Sequence, residues 1–431
     1  MSAIDAEHSA HITELVREQY ERFPYPDLDP GEMPKGWVTT SIMPLMCPLV
    51  WGGRRTADDA MHILDAGCGT GGPSAQLALM SPRSKVVGID LSQASLARSR
   101  ARKERLGLDN LEYHRLSLLD VGELGMTFDY IVTTGVLHHM PDPDEGLRAL
   151  RSVLDPHGAI AIMLYGQYGR VGVYMLQRAM QLLANPDEDI DYHIDLARQA
   201  MLSAPPWFPA HIPSYGFEMQ PGNKGGIVDL LLHAQDRAYT VDDIHAMLHA
   251  CDMRFHRWMV PHLYDPKPHL GRDPELANSL HAMSNEHADQ IGELVHGALH
   301  KHTFVAVRPE FEPPRIDIRD GRWKKLGIVK YFEYTWDPSE ADPETGRLTG
   351  SPDTTEHRDR LTLSVHPWQA EFIKALSHVP THTMDVLRSP SVRRAMPSMP
   401  GYQRDAMVEE LIGALVQRGG AILVEEEHIR G

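Results

Sequence analysis

Leu64-Asp65-Ala66-Gly67-Cys68-Gly69-Thr70-Gly71-Gly72 carries the chain from a short apolar run into a helix through a glycine-rich turn that opens on an acid. Met61 to Leu64 has the length and apolar character of a buried parallel strand, and Pro73 falls where the first turn of a helix tolerates a missing N–H. Gly67, Gly69 and Gly71 let the backbone approach a ligand that a Cβ would hold off. Their spacing is GxGxG, not the GxGxxG of dinucleotide sites, where turn and helix N-terminus hold a pyrophosphate. An anionic Asp65 would repel that group and suits a cationic ammonium. The stretch therefore points to a nucleoside-binding α/β enzyme.

Working outward, Lys85-Val86-Val87-Gly88-Ile89-Asp90 reads as a second strand ending in an acid, at the distance past the turn where such folds place a ribose-binding carboxylate. Leu111 to Arg115 reads as a third strand and Phe128 to Thr133 as a fourth. In this order the residues from about 41 to 170 resemble class I S-adenosylmethionine-dependent methyltransferases, with Leu64 to Gly72 as their first motif. The resemblance implies a seven-stranded Rossmann-like sheet, S-adenosyl-L-methionine as cofactor, and a methyl group transferred in line to an acceptor. Residue by residue, it implies that Asp65, Gly67, Gly69 and Gly71 meet the methionine end, and Asp90 with Leu91 the ribose. Ser117 and Leu118 fall at the adenine, where the family usually has an acid; Asp120 lies just beyond.

Ile12, Leu15, Val16, Gln19, Tyr20 and Phe23 recur at helical spacing, so His11 to Phe23 is expected to be an amphipathic helix stopped by Pro24 and Pro26. The string Tyr20-Glu21-Arg22-Phe23-Pro24-Tyr25-Pro26 resembles the YxxxPYP segment of a bacterial methyltransferase group, some of whose members carry tetratricopeptide repeats. That resemblance implies that Tyr20 and Tyr25 close over the methionine end of the cofactor; the alternative is that they only pack the helix down. Thr133 to Asp142 resembles the family's loop below the transferable methyl, which makes His138 and His139 candidate bases, with Tyr165 as a further catalytic candidate. Tyr168 and Arg170 follow the fifth strand, Ala159 to Tyr165, at the carboxyl edge where open sheets bind ligands, and with Tyr165 are candidates for the acceptor pocket. His233, Gln235 and Arg237 lie in a second resembling string, Asp229 to Arg237, and are expected to bind a polar or anionic acceptor, or else to form an ordinary surface network.

The hydrophobic pattern divides the chain into an N-terminal cap (1–40), a cofactor-binding core (41–170), a lid insertion (171–238), the completion of the core sheet (239–309), a connector (310–360) and a small winged-helix-like α+β domain (361–431). Thr240 to Asp243 fits a capping box, and Phe255 to Val260 and Thr303 to Val307 supply the last two strands. Asp337 to Arg358 is nearly free of apolar residues, which predicts a loosely held segment. A formal net charge of −17 and the acidic Glu425-Glu426-Glu427 argue against a nucleic-acid partner, so a packing or homodimerisation role is expected for the C-terminal domain. Cys47, Cys68 and Cys251 show no CxxC spacing, consistent with a cytoplasmic compartment, and no run is apolar enough to span a membrane. His245, His249 and Cys251 lack the HExxH pattern, so no metal is expected. The acceptor is expected to be a small molecule carrying a thiol, amine or hydroxyl. A non-catalytic cofactor-binding regulatory or scaffold protein would share these residues, whereas an NAD-dependent oxidoreductase is disfavoured by Asp65 and the GxGxG spacing.

Overall fold

The computed structural model describes residues 3–26, 39–52, 54–185, 187–205, 207–209, 215–220, 222–271, 273–313, 322–330, 334–336, 348–352, 363–377, 381–417 and 421–424. Pro206, Pro213, Gly419-Gly420, the Glu425 to Glu427 run and most of Asp337 to Arg358 lie outside the described residues. Two compact units are formed: one by 1–41, 60–258 and 264–311, the other by 42–59, 259–263 and 312–431.

The first unit opens with α1 (Ala3–Arg22), which starts earlier than the apolar spacing predicts and ends just before Pro24. The second unit's α2 (Met43–Trp51) follows, and then the core begins with β1 (His62–Ala66), α3 (Gly72–Met80), β2 (Lys85–Asp90), α4 (Gln93–Leu106), β3 (Leu111–Arg115), β4 (Phe128–Thr134), α5 (Pro143–Ser152) and β5 (Leu154–Gly166). Helices α6 (Val171–Leu183), α7 (Ile190–Leu202) and α8 (Lys224–Leu231) form the insertion. The sheet is completed through β6 (Ala238–Tyr239), α9 (Val241–Ala250), β7 (Arg254–Trp258), α10 (Lys267–Leu270), α11 (Pro274–His281), α12 (Asn285–His296) and β8 (Lys301–Val307).

Seven strands lie in the order β3-β2-β1-β4-β5-β8-β7, and β6 adds a short eighth beside the end of β5. β8 runs antiparallel to both β5 and β7, while β1 to β5 are mutually parallel. This is the expected Rossmann-like methyltransferase sheet. Its central strands are buried on both faces, as Ile63, Leu64, Val86, Val87, Ile131 and Val132 show. The reversal of strand order beside β1 opens a crevice at the carboxyl ends of β1 and β4, the edge from which the glycine turn and the loop after β4 emerge. The predicted capping box is present: the Thr240 side chain accepts from the Asp243 N–H, and the Asp243 carboxylate accepts from the Thr240 N–H. The insertion has its own apolar core, with Val173, Met180, Ile194, Met201, Ile227 and Leu231 buried together.

In the second unit, β9 (Gly327–Lys330) is the central strand of a sheet flanked by β13 (Thr381–His382) and β14 (Ala421–Val424). A separate antiparallel sheet joins β10 (Tyr334–Trp336), β11 (Leu348–Pro352) and β12 (Leu363–Val365). Polar composition led to the expectation that Asp337 to Arg358 is unstructured, yet Leu348 to Pro352 pairs on both edges. Backbone pairing needs no apolar side chain, which is why composition does not register it. The helices are α13 (Pro367–Ala375), α14 (Thr383–Arg388), α15 (Pro390–Ala395) and α16 (Gly401–Gln417). Trp323 and Ile328, upstream of residue 361, share a core with Trp368, Phe372 and Ile412.

One helix of the first unit sits on bare backbone. A Cβ at Gly292 on α12 would come within 1.9 Å of the Tyr264 carbonyl oxygen, so that surface accepts no larger residue. Gly292→Ala is expected to lower stability by roughly 1–3 kcal/mol or more, whereas Gly122→Ala, with nothing within 4 Å of its Cβ position, should stay within about 0.5 kcal/mol. Thermal melts of the two variants check this. Equal effects would contradict the packing described.

Candidate active site

The turn after β1 adopts a conformation that demands its glycines: Gly67, Gly69 and Gly71 have φ of +79°, +51° and +80°. Space is equally limiting at Gly67, where a Cβ would meet Val136 at 2.3 Å. The turn is tied to the end of β2. Gly67 and Cys68 N–H both donate to the Ile89 carbonyl at 2.9 Å, and Gly69 N–H donates to Asp90 Oδ2 at 2.8 Å. Asp90 Oδ1 accepts from Ser92 N–H at 2.8 Å. Burial pushes the Asp90 carboxyl up, opposed by these N–H donors. Each carboxylate oxygen still has a lone pair for a ligand hydroxyl.

Asp65 lies deeper, 2 % exposed, with Ser74 Oγ donating to it at 2.5 Å. Burial, reinforced by the nearby Asp90 charge, pushes its carboxyl up to about 7. A carboxylate so placed is short of a positive charge.

The N-terminal segment covers this turn. Thr70 Oγ1 donates to the Pro26 carbonyl at 2.9 Å, Ser92 Oγ lies 3.1 Å from the Tyr20 carbonyl, and Ala94 N–H donates to the Glu21 carboxylate at 3.2 Å. From the other side the insertion grips the same segment: Tyr20 Oη donates to Asp229 Oδ1 at 2.7 Å, Tyr25 Oη to Glu218 Oε1 at 2.9 Å, and Ala234 N–H to Gln19 Oε1 at 2.9 Å.

The loop after β4 brings in the two histidines, both buried. His138 stacks on Tyr165 with centroids 3.8 Å apart, and its Nδ1 accepts from the Tyr165 N–H at 3.3 Å. The neutral ring therefore carries its proton on Nε2. His139 is the reverse: Nδ1 faces the Gln235 carbonyl at 2.8 Å and donates to it, leaving a lone pair on Nε2. His139 also stacks on His233 at 3.9 Å. Burial lowers all three imidazoles below the ordinary histidine value, so they stand neutral near pH 7.

Asp229 was not singled out from sequence, although it begins the string Asp229 to Arg237. It is 6 % exposed on α8 and accepts from Tyr20 Oη and, at 3.2 Å, from Tyr165 Oη. Its spacing to His233 is four residues, the one sequence signal that could have drawn attention to it. His139, Asp229 and His233 bring three ligand-type atoms within 4.8 Å of one another, a grouping unforeseen when no metal was expected. Its hydrogen bonds are those of a proton network. His233 Nδ1 accepts from Gln235 N–H at 3.0 Å, which puts the ring proton on Nε2, 3.1 Å from Tyr20 Oη, where a metal would need the lone pair.

Other candidates sit elsewhere. Arg170, expected to face the acceptor, is 2 % exposed, pairs with Asp236 at 3.0 Å and lies over the Tyr165 ring at 3.5 Å. Gln177 also donates to Asp236, at 3.2 Å. Arg237 is exposed and pairs with Asp243 at 3.5 Å. Gln235 contributes backbone groups, its N–H and carbonyl each holding one histidine. Tyr168 is half-buried beyond β5. Ser117 accepts from Leu119 N–H at 3.2 Å as the cap of the turn that begins with buried Leu118, Leu91 is half-buried and accepts from Arg115 through its carbonyl, and Asp120 is exposed.

Residues 57–185 match the family model for a methyltransferase domain. An uncharacterized protein of Synechococcus is 37% identical over 181 residues, 40% of this chain and 42% of that protein. A trans-aconitate 2-methyltransferase of Deinococcus radiodurans is 35% identical over 103 residues, 24% of this chain and 37% of that protein. The match thus spans less than half the length of these curated relatives. Among solved structures, PKMT2 from Rickettsia typhi in complex with AdoHcy superposes with a TM-score of 0.68 at 15% identity, covering 91% of this chain and 77% of that one, which establishes a shared fold. Fold and family match together define residues 57–185 as a methyltransferase domain on a Rossmann-like sheet. The cofactor this domain implies is S-adenosylmethionine, and the residues fit it: a cradle that any Cβ would fill, a buried acid short of a cation, and a second acid with free lone pairs.

Two outcomes follow from these carboxylates. Asp90→Ala is expected to weaken S-adenosylhomocysteine binding about tenfold or more, as loss of a charge-assisted hydrogen bond requires, while Asp120→Ala leaves it unchanged; calorimetry compares them. For Asp65, a folded-state pKa near 7 lies above the unfolded value of 3.8, so its contribution to stability is lost as pH rises from about 4 through 7. The stability advantage of unliganded Asp65→Asn over wild type should grow across that window and level off above it. A pH-independent difference would overturn the assignment.

Proposed function

We propose that this chain is an S-adenosylmethionine-dependent methyltransferase acting on a small-molecule acceptor whose nucleophile is a thiol, amine or hydroxyl. The observation that carries this reading is the Asp65 carboxylate, buried at the foot of the glycine turn, with the turn itself held by Asp90. When bound, the cofactor supplies a methyl group on a sulfonium, a centre that needs alignment and a dry cavity more than it needs acid or base. Asp65 would meet the methionine ammonium, Asp90 the ribose diol and the Ser117–Leu118 backbone the adenine. Tyr20 and Tyr25, fastened to the insertion through Asp229 and Glu218, exclude water from the methionine end.

Proton removal falls to His139. Its Nε2 carries the free lone pair, whereas the His138 lone pair is spent on the Tyr165 N–H. His138 then positions Tyr165 and shapes the loop.

Incubation with isotopically labelled S-adenosylmethionine and mixtures of small thiols, amines and alcohols, followed by mass spectrometry, tests the activity. A labelled product supports it; tight cofactor binding with no transfer to any acceptor would favour a regulatory or scaffold protein. With an acceptor found, His139→Gln should lower turnover by about 10²–10⁴ at unchanged cofactor affinity, and His138→Asn by less. The wild-type rate should stay flat down to below the ordinary histidine range, because burial keeps His139 unprotonated there. Equal losses in both variants would refute the division of roles.

A further inference from the structure

The charge of the Asp229 carboxylate is what the proposed activity leaves unexplained, since fastening Tyr20 needs only an acceptor oxygen. The carboxylate is buried at the meeting point of α8, α1, the loop after β4 and the end of β5, with Tyr20 and Tyr165 hydroxyls each donating one hydrogen bond. Among the described residues no lysine or arginine pairs with it. Arg170, on the far side of the Tyr165 ring, is already paired with Asp236, and Lys301 acts on Glu218. His139 and His233, which face Asp229, are held neutral by burial.

A negative charge removed from water and met only by neutral donors is costly unless a cation completes the site. Two cations could do so. A metal ion would need the Nε2 lone pair of His233, which the Gln235 N–H bond to Nδ1 denies it. An ammonium needs acceptors and aromatic walls instead. It finds the second lone pairs of the Asp229 oxygens, the His139 Nε2 lone pair and the tyrosine hydroxyl oxygens, between the rings of Tyr20, His139, His233 and Tyr165.

Resting on the methyltransferase reading, we propose that the acceptor is a primary alkyl amine, held as its ammonium by Asp229 with Tyr20, Tyr165 and His139 around it; the ammonium would pass one proton to His139 Nε2, the freed nitrogen lone pair would bond to the methyl carbon as its C–S bond breaks, and S-adenosylhomocysteine would leave. A thiolate or alkoxide would be repelled by the same carboxylate, and a neutral thiol or alcohol would leave its charge unmatched. Arg170, over the Tyr165 ring, is paired with Asp236, so among the described residues no unpaired cation is seen to compete with an amine there.

The test uses the full chain saturated with S-adenosylhomocysteine and titrated calorimetrically near neutral pH with n-butylammonium, 1-butanol and 1-butanethiol. Only n-butylammonium should bind saturably. Asp229→Asn should weaken it about tenfold or more, and by a larger factor than it weakens S-adenosylhomocysteine, because Asn keeps an oxygen for the Tyr20 hydroxyl but not the charge. Stronger binding of the alcohol or thiol to the wild type would overturn the proposal, and this comparison stands even if Asp229→Asn fails to fold. Unchanged n-butylammonium affinity in a folded Asp229→Asn would overturn it too. So would stoichiometric binding of Mn²⁺ alone that Asp229→Asn abolishes, since the cation would then be a metal. Failure of the wild type to bind S-adenosylhomocysteine is a separate outcome: it removes the methyltransferase reading itself, and this inference with it.

Discussion

Buried carboxylates that, among the described residues, have no positive side chain beside them are the constraint around which the carboxyl edge of this sheet is arranged. Asp65, Asp90 and Asp229 lie at the carboxyl ends of β1 and β2 and on the covering helix α8, and each is met by neutral donors: a serine hydroxyl, backbone N–H groups, and tyrosine hydroxyls. Such donors satisfy the oxygens but leave the charge. The elements that supply them are consequently fixed in place. The glycine turn cannot move without losing Asp90, nor α1 without losing Asp229.

The same logic explains how three separate segments become one wall. Cap, core and insertion are far apart in sequence, and the bonds joining them run between side chains such as Tyr20 and Asp229, 209 residues apart, and Tyr25 and Glu218, 193 residues apart. The insertion has its own apolar core, and it presents these acids from α8, which carries Asp229, and from the turn before it, which carries Glu218. The contact is not polar alone, since Phe23 of the N-terminal segment packs against that same core.

How much of this the sequence announced depends on whether the signal was local. The glycine turn, the strand Lys85 to Asp90 and the capping box at Thr240 involve residues within one turn or one strand of each other, and their boundaries in the structure are those expected. The helix before Pro24 began earlier than predicted because its first residues lack apolar periodicity. Leu348 to Pro352 was hidden since its pairing is backbone to backbone. Arg170 and Asp229 mark the harder limit. An arginine beside a ligand-binding edge reads as a contact to the acceptor until its partner Asp236 is known, and an aspartate in an apolar helix draws no notice until two tyrosines are found upon it. Those partners lie 66 residues from Arg170, and 64 and 209 residues from Asp229.

Electrostatic order at the site then follows from which charges are paired and which are not. Arg170 is sandwiched against Tyr165 and neutralised by Asp236, so it fixes the ring that donates to Asp229 without contributing a free positive charge. The Gln235 backbone sets opposite tautomers on the stacked pair, giving His139 a lone pair and His233 a proton at the positions nearest Asp229 and Tyr20. If the histidines were charged, they would supply Asp229 with a counter-ion and remove any need for one from outside. Burial prevents this, lowering both imidazoles. Desolvation thus does two things at once: it keeps His139 and His233 neutral near pH 7, and it leaves the Asp229 carboxylate to the neutral donors Tyr20 and Tyr165.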